Sequence, residues 1–406
     1  MKDSASVLVT GGAGFLGQHV VGLLQAKADH VTEIRVLDIV PFENKLDYKH
    51  TKPLKIFVGS ITDEKILKEA CHGVQSVIHI AGITDATMFP DNDKVYGVHI
   101  QGTLLTLLTA LGTAGIQRFI FCSSDAVAIG NNDVTQGISE NDPIPSKRLL
   151  EPYASSKLAG ERVVLSANSK NFRSVCLRPL LMWGELHTSF VLLAQRIAFW
   201  TFGYLPTFNC GDVVQQNAYV GNVAWGFVCA ETKLYNDFKK GDPISEMTDT
   251  VKSGGAKSEL CSELRRRSNN TRNDSKLEDF KDIARDSELS SANVYYIADD
   301  TPPENIYKFQ EPFLAASGCK LIKYPYPLIM MNIVFYIIYG VLLFLRLLGL
   351  KFNFPVGLGF LSYYRRSYIF SDAKAREELG YRPLYTPEVA LERSLKYYKK
   401  FSRRVN

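Results

Sequence analysis

The N-terminal segment limits the folds open to this chain more than any other part of the sequence. Ser6–Thr10 is a short, valine-rich apolar run, which is typical of a buried parallel strand, and residues 18–26 read as a helix. The glycine-rich turn between them predicts a tight bend, close approach of backbone to a pyrophosphate, and close helix–strand packing. Free N–H groups at the helix start would face the phosphates. The predicted dinucleotide-binding residues of this turn are Gly11, Gly12, Ala13, Gly14, Phe15, Leu16 and Gly17.

The next predicted strand, Ile34–Asp38, ends in a carboxylate. An acid at this position accepts hydrogen bonds from the ribose hydroxyls of adenosine and repels a 2′-phosphate. Ile39 follows it, whereas a phosphate-binding site would favour arginine or lysine there. Asp38 therefore predicts NAD rather than NADP as the cofactor.

Alternating strand and helix patterns continue, and they predict an α/β fold with a doubly wound parallel sheet of the Rossmann type. Ligands of such sheets bind at the carboxyl ends of the strands, so residues just beyond the strands are candidate contacts. Ser60 and Ile61 are predicted on the adenine side, and Ala81 and Gly82 beneath the ribose on the nicotinamide side. The further strands are predicted at residues 54–58, 77–80, 118–122 and 172–177.

Three side chains predict chemistry at this edge of the sheet. Ser124 follows the fifth strand, and Tyr153 and Lys157 lie four residues apart, on one face of a predicted helix. An ammonium beside a phenol stabilises the phenolate and lowers its pKa from about 10 toward the range of a general base. Such a group can take a proton from an alcohol while a cofactor accepts the hydride. The Tyr-x-x-x-Lys spacing is common, so the prediction depends on the nucleotide site upstream.

Residues 10–17, together with Ser124, Tyr153 and Lys157, resemble an extended short-chain dehydrogenase/reductase. Three later runs narrow the resemblance to the 3β-hydroxysteroid dehydrogenase family, which includes steroid dehydrogenase/isomerases and sterol-4α-carboxylate 3-dehydrogenases. The resemblance extends from residue 6 to about residue 230 and resumes at residue 294. The three runs are residues 178–185, 218–225 and 294–302.

The resemblance implies NAD-dependent oxidation of a steroid or sterol 3β-hydroxyl to the 3-ketone, in steroid biosynthesis or metabolism. In that reading Tyr153 deprotonates the hydroxyl, Lys157 lowers the pKa of Tyr153 and binds the nicotinamide ribose, and Ser124 holds the substrate oxygen. Isomerisation of the Δ5 double bond would need a further acid/base group, for which Asp299 or Asp300 is the candidate. The alternative for both carboxylates is capping of the turn that follows them.

Two other functions remain open at this stage. One is oxidation of a 4α-carboxysterol, whose β-keto acid product then loses CO2. The other is a non-catalytic, NAD-binding membrane protein. His99 keeps the second alternative open, because the family usually has asparagine at this position of an Asn-x-x-Gly-Thr motif. His99 is either a polar bridge that replaces the asparagine or an ordinary helix histidine.

Composition divides the 406 residues into five regions. A polar, charged insertion that cannot bury enough apolar surface is expected to be disordered. The regions are an NAD-binding domain at 1–184, a substrate-binding region at 185–238 and 294–325, the disordered insertion at 239–293, a membrane-associated segment at 326–361, and a C-terminal element at 362–406 that packs back on the fold. Aromatic residues within 186–208 predict either a sterol pocket or a plain core helix.

The stretch from Tyr326 to Leu350 contains Asn332 and Arg346 as its strongly polar residues and is long enough to span a bilayer of roughly 30 Å. Because the C-terminal element must return to the enzyme fold, we expect a membrane-embedded segment with both termini in the cytosol, with a hinge at Gly340. From Lys351 onward the chain has 12 Lys and Arg against 5 Asp and Glu, which suits an anionic leaflet. The endoplasmic reticulum is the expected location, with the mitochondrial membrane as the alternative.

The remaining composition excludes several classes of protein. Seven scattered cysteines without a Cys-x-x-Cys pair predict neither a disulfide framework nor a metal site. No nucleic-acid motif accompanies the net charge of +5, so nucleic acid is not an expected partner. The expected partners are a steroid or sterol, membrane lipid and, from the resemblance, a second copy in a homodimer.

Overall fold

A parallel sheet of seven strands forms the centre of the computed structural model, which describes residues 5–130, 136–187, 190–240, 291–363 and 365–402. The strands are β1 (Ala5–Thr10), β2 (Val31–Asp38), β3 (Leu54–Val58), β4 (Ser76–His79), β5 (Arg118–Cys122), β6 (Arg173–Pro179), β7 (Leu181–Trp183), β8 (Tyr204–Leu205), β9 (Asn217–Tyr219), β10 (Val294–Ile297) and β11 (Lys320–Leu321). The order across the large sheet is β3-β2-β1-β4-β5-β6-β10. The strand order therefore reverses between β1 and β4, where doubly wound folds bind their ligands.

Helices cover both faces of this sheet. They are α1 (Phe15–Lys27), α2 (Glu64–Cys71), α3 (Asn92–Tyr96), α4 (Thr103–Gly112), α5 (Tyr153–Ser166), α6 (Phe190–Trp200), α7 (Val220–Lys240), α8 (Ile306–Ala316), α9 (Leu328–Leu347), α10 (Gly359–Tyr363), α11 (Ala373–Glu378) and α12 (Pro387–Ser402). Buried residues of α1 and α7 pack together in one apolar cluster, and those of α2, α4 and α5 in another. The predicted doubly wound α/β fold is confirmed.

A π-helical segment at Gly97–Gly102 joins α3 to α4, so these elements form one continuous helix beside the catalytic edge. Such π segments are frequent at functional sites. The combined helix is apolar and long enough to cross a membrane, but most of it is buried in the core. Its composition is therefore that of a core helix.

Two small parallel pairs, β7–β9 and β8–β11, build the region next to the large sheet. Helices α6 and α8 pack there around Ala198 and Leu314, both of which are fully buried. Of the predicted disordered insertion, residues 241–290 lie outside the described residues.

The C-terminal residues pack against the main body through tyrosine hydroxyls. Tyr368 donates to the Gly130 carbonyl at 2.7 Å, and Tyr381 donates to the Ala298 carbonyl at 2.7 Å. In α12, Tyr398 contacts the Gly184 carbonyl at 3.0 Å. All three tyrosines are almost fully buried, so the element is part of the core of the fold.

Helix α9 is the most exposed apolar element of the described chain. Of its 20 residues, Met331 alone is buried. The helix runs without a break through Gly340, so the predicted hinge at that residue is wrong; a Cβ at Gly340 would meet nothing within 4 Å. The helix ends at Leu347 in a Schellman motif, in which Gly349 has φ +82° and the Leu350 amide donates to the Leu345 carbonyl.

Both ends of α9 are hydrogen-bonded to the main body of the protein. Before it, the Tyr326 amide donates to the Thr207 carbonyl at 2.8 Å. After it, the Asn353 side chain donates to the Phe89 carbonyl at 2.7 Å, and the Met88 amide donates to the Phe354 carbonyl at 2.9 Å. The helix therefore leaves the main body and returns to it.

Candidate active site

The glycine-rich turn between β1 and α1 leaves no space for side chains at two positions. Gly11 has φ +70°, and a Cβ there would lie 2.7 Å from the backbone of Ala81 at the end of β4. A Cβ at Gly17 would lie 2.1 Å from the Gly11 carbonyl oxygen. The first glycine thus permits the bend, and the second permits α1 to start against the turn, as the sequence predicts.

Asp38 lies at the end of β2, facing this turn. Its Oδ2 accepts a hydrogen bond from the Ala13 amide at 3.0 Å, which fixes the half-buried carboxylate beside the predicted pyrophosphate position. Ile39 is 72% exposed and adds no cation. These contacts fit an adenosine ribose at Asp38.

The other predicted adenine contacts lie at the start of the segment after β3. Ile61 is buried against Gly102. A Cβ added to Gly102 would lie only 2.5 Å from Ile61 Cδ1. The Ser60 hydroxyl lies 2.8 Å from that of Thr62. Ile61 therefore packs on the π segment.

The structure brings Tyr153 and Ser124 into contact. The phenol of Tyr153, the first residue of α5, hydrogen-bonds to the side chains of Ser124 and Thr84. Ser124 follows β5, and Thr84 belongs to the segment after β4. Three chain segments therefore meet at the phenol oxygen, at the carboxyl edge of the sheet.

Lys157 lies one helical turn further along α5, and its side chain is almost fully buried. Its Nζ donates to the Cys122 carbonyl at 2.9 Å and lies 5.3 Å from the centre of the Phe121 ring. Burial lowers the pKa of this ammonium. Burial also raises the pKa of the Tyr153 phenol, against its interactions with the Ser124 and Thr84 side chains. The predicted lowering of the Tyr153 pKa is thus wrong for the protein without a bound cofactor.

Gly82 leaves little room for a side chain, because a Cβ would lie 3.0 Å from His99 Nε2 and 3.2 Å from Lys157 Nζ. The neighbouring Ala81 amide donates to the Thr10 hydroxyl at 3.3 Å. Beneath these residues, His79 Nδ1 lies 2.7 Å from the same hydroxyl. Burial lowers the pKa of His79 to about 3. The floor of the site is thus neutral apart from Lys157.

His99 occupies the π segment and links two walls of the site. Its Nε2 accepts from the Ile83 amide at 3.0 Å, so the proton of the neutral ring lies on Nδ1, which donates to the Ser156 hydroxyl at 2.8 Å. Ser156 in turn donates to the Tyr153 carbonyl at 2.7 Å. Burial, with the nearby Lys157 charge, lowers the pKa of His99 to about 2. His99 is therefore a neutral polar bridge that supports the first turn of α5.

This bridge predicts how acid destabilises the protein. The folded-state pKa of His99 lies below its unfolded value of about 6.5, so its contribution is complete above that pH and is lost as the pH falls. Between pH 6.5 and 5.5 the loss is about 1 kcal/mol. We expect His99→Asn, which removes the titration, to reduce the pH-dependent loss of unfolding free energy by about that amount in urea unfolding.

The matched variant for the hydrogen bonds is His99→Leu. It leaves the Ile83 amide and the Ser156 hydroxyl without this partner, so we expect it to destabilise the fold by about 1–3 kcal/mol at neutral pH. An unchanged pH dependence in His99→Asn would contradict the assignment of a buried neutral ring.

The two candidate isomerase carboxylates have structural partners. Asp299 is buried, and its oxygens accept from the Tyr219 amide at 2.9 Å, the Asn222 amide group at 2.9 Å and the Thr301 amide at 3.0 Å. Asp300 is exposed and pairs with Arg376 at 2.8 Å. The contacts of Asp299 match the turn-capping alternative, and an isomerase role for either residue stays a prediction.

Asp125 was missed by the sequence reasoning. Its side chain is 8% exposed, and its Oδ1 accepts from the Ser124 hydroxyl at 3.1 Å. Burial raises its pKa to about 7. The signal available in the sequence was its position directly after Ser124, beyond a buried strand, where a carboxylate is costly to desolvate.

The aromatic residues within 186–208 are predicted to form either a sterol pocket or a plain core helix. In the structure, some of them lie in the core and others on the surface. Phe190 packs on His187 and Phe309, with ring centres 5.1 and 5.9 Å apart. Trp200 is 77% exposed and Phe202 is 95% exposed. The start of α6 therefore belongs to the packed region, and its end presents aromatic rings to the surroundings.

Comparison with known proteins agrees with this geometry. A 3-beta-hydroxysteroid dehydrogenase of Mycolicibacterium neoaurum is 27% identical over 414 residues, covering 98% of this chain and 92% of that protein. A 3 beta-hydroxysteroid dehydrogenase/Delta 5→4-isomerase of Mycobacterium tuberculosis (strain ATCC 25618 / H37Rv) is 27% identical over 404 residues, covering 97% of this chain and 90% of that protein.

Solved structures share the fold. The UDP-glucose 4-epimerase of Thermotoga maritima with UDP-glucose is 18% identical, with a TM-score of 0.61 over 98% of this chain and 99% of that chain. The dTDP-glucose 4,6-dehydratase DesIV of Streptomyces venezuelae with NAD is 19% identical, with a TM-score of 0.59 over 97% of each chain. The model of the 3-beta hydroxysteroid dehydrogenase/isomerase family matches residues 8–247. The predicted family is confirmed, and the chain belongs to the 3-beta hydroxysteroid dehydrogenase/isomerase family.

Proposed function

We propose that this protein is an NAD-dependent dehydrogenase that oxidises the 3β-hydroxyl of a steroid or sterol to the 3-ketone. The observation that carries the proposal is the contact of the Tyr153 phenol with Ser124, one helical turn from a buried Lys157, in a chain of this family. The names of the mycobacterial relatives support the 3β-hydroxysteroid as the substrate class.

NAD is the cofactor supported by the fold, the family and the residues of the turn. The amides around Gly14 would hold the pyrophosphate, and Asp38 would accept from the adenosine ribose. When bound, NAD would supply the acceptor for the hydride from C3, and the positive charge of its nicotinamide ring would favour the phenolate of Tyr153. Such a positive charge would lower the pKa of the Tyr153 phenol, whereas burial alone raises it.

The chain's own residues handle the proton and the oxygen. Tyr153 takes the hydroxyl proton, while the Ser124 side chain holds the substrate oxygen beside the phenol. Lys157 is held by the Cys122 carbonyl, which places its charge under the site and keeps it within reach of a ribose. Thr84 gives the phenol a second partner, so the ring keeps its position as its proton moves.

We propose further that α9 embeds in one leaflet of a membrane without crossing it. The helix presents large apolar side chains along its length, and both of its flanks bond to the same enzyme domain. The Arg346 guanidinium lies 4.2 Å from the centre of the Phe89 ring, in the segment that also carries Thr84. A lipid-dissolved sterol would therefore approach the site from the side of α9, with the catalytic domain on the cytosolic face of the endoplasmic reticulum.

Charge on α9 should abolish this membrane contact. Ile337 and Phe344 are each 60% exposed, and a carboxylate in hydrocarbon costs about 2.5–3.5 kcal/mol. We expect Ile337→Glu with Phe344→Glu to reduce flotation with anionic lipid vesicles at least about tenfold. Val389→Glu, at an exposed position of α12, is the matched control and should float like the unmodified protein. Equal flotation of the double variant would overturn the proposal.

The proposed activity is tested by incubating detergent-solubilised protein with NAD and a 3β-hydroxy-Δ5-steroid. NADH together with a conjugated enone would support a dehydrogenase that also isomerises. NADH without enone would support oxidation alone, and a 4α-carboxysterol would then be the next substrate to test. NAD binding without NADH from any of these alcohols would overturn the catalytic proposal in favour of a non-catalytic NAD-binding protein.

A further inference from the structure

Asp125 is a buried carboxyl group in direct contact with the catalytic machinery. It begins a short 3-10 turn, Asp125–Ala128, whose N-terminus is capped by Ser124. Its Oδ1 lies 3.1 Å from the Ser124 hydroxyl, and its carboxylate is also hydrogen-bonded by the backbone amides of Ala126 and Leu181. Leu181 starts β7, so Asp125 joins the serine to the small β7–β9 pair beside the large sheet.

The hydrogen bonds around Ser124 fix the direction in which its hydroxyl points. Its oxygen accepts from the Ala126 amide at 3.2 Å. An ionised Asp125 can only accept, so Ser124 must donate its hydrogen to this carboxylate. The second lone pair of the Ser124 oxygen then faces the site, where it can accept from the Tyr153 phenol or from a substrate hydroxyl. In this state Ser124 presents one acceptor to the site and has no hydrogen left for a substrate oxygen.

A proton on Asp125 would reverse the arrangement. A protonated carboxyl donates to the Ser124 oxygen, which releases the serine hydrogen toward the site. The two states suit different ligands, because an alcohol can donate to a lone pair, whereas a ketone oxygen only accepts. One proton taken from solvent thus changes which ligand Ser124 can bind.

We propose that Asp125 is a positioning residue that acts through Ser124, presenting an acceptor to the alcohol when ionised and a donor to the ketone when protonated. The inference rests on the proposed function, because it assigns the two states to substrate and product. No new co-reactant is needed, since the proton remains on Asp125 and the redox step is unchanged.

The surroundings of Asp125 allow this exchange near neutral pH. Burial raises the pKa of Asp125 to about 7, against its hydrogen bonds from Ser124 and three backbone amides. The titratable side chain that faces it from α5 is Tyr153, while β7 and the 3-10 turn contribute the uncharged amides of Leu181 and Ala126. Its protonation is therefore set mainly by desolvation, which favours the neutral acid.

Ligand binding across pH tests the proposal. The dissociation constant of the 3-ketosteroid is measured on the protein–NADH complex from pH 6 to 8.5, using NADH fluorescence. We expect the ketone to bind about three- to tenfold more tightly at pH 6, the range set by one neutral hydrogen bond. Asp125→Asn and Ser124→Ala should each remove this pH dependence. Glu140→Gln, in another buried carboxyl with a raised pKa, should retain it.

The same variants separate this inference from the proposed function. In infrared spectra, the protonated-carboxyl band of Asp125 should titrate near pH 7, disappear in Asp125→Asn and shift in Ser124→Ala. If steroid does not bind but this band behaves as expected, the proposed function fails and the Asp125–Ser124 coupling stands. A ketone affinity that keeps its pH dependence in Asp125→Asn, or a carboxyl band that does not titrate, would overturn the inference.

Discussion

Tyr153→Phe should lower kcat/KM for a 3β-alcohol by about 10²–10⁴-fold, the usual contribution of a general base, while NAD affinity stays nearly unchanged. The phenyl ring keeps its contact with His99, whose ring centre lies 5.5 Å away, so the first turn of α5 should remain in place. Only the oxygen that meets Ser124 and Thr84 is removed. Steady-state NADH formation and calorimetric titration with NAD give the two quantities.

A matched control is Tyr204→Phe, which removes the same oxygen from a side chain that is half exposed. It should retain full activity. Equal turnover by Tyr153→Phe and the unmodified protein would rule out the phenol as the base. Loss of NAD binding in that variant would mean that the ring itself supports the cofactor site.

Gly17→Ala should abolish NAD binding and destabilise the fold by about 1–3 kcal/mol, the usual cost of overpacking. Its added methyl would lie 2.1 Å from the Gly11 carbonyl oxygen and 2.6 Å from the Gly12 Cα. Both obstacles are backbone, so relief requires α1 to move away from the turn. That movement would displace the amides that face the pyrophosphate.

Gly112→Ala is the control, because a Cβ at this helix position meets nothing within 4 Å. Its stability and NAD affinity should be those of the unmodified protein. Thermal unfolding with and without NAD measures both effects together, since a ligand that binds only the folded state raises its stability. If NAD stabilises Gly17→Ala as much as the control, the turn is not the phosphate site.

Much of the sheet could be predicted from local patterns. Strands β3 and β5 have the predicted bounds. The turn after β1 could be predicted because its close backbone contacts require glycine at positions 11 and 17. β2 begins at Val31, three residues before the prediction, because pairing with β1 extends it. That extension depends on a neighbouring strand, which a local pattern does not reveal.

The contacts within the site could be predicted less well than its members. Tyr153 and Ser124 are brought together as expected, but the link from His99 through Ser156 depends on how the π segment faces α5. The role of Asp125 depends on burial, which residue type alone does not give. The predicted hinge at Gly340 was wrong because α9 continues through this glycine, at a position where a Cβ would meet nothing within 4 Å.

Helix α12 contacts a loop that lies more than half the chain earlier. Besides its bond to Gly184, Tyr398 lies 3.1 Å from the His187 carbonyl, and Arg393 pairs with Glu185 at 3.0 Å. The His187 ring lies 4.8 Å from Phe15, at the start of α1 beside the glycine turn. A nascent chain therefore cannot complete this support of its nucleotide site until α12 has left the ribosome, and removal of α12 should impair cofactor loading before it affects the sheet.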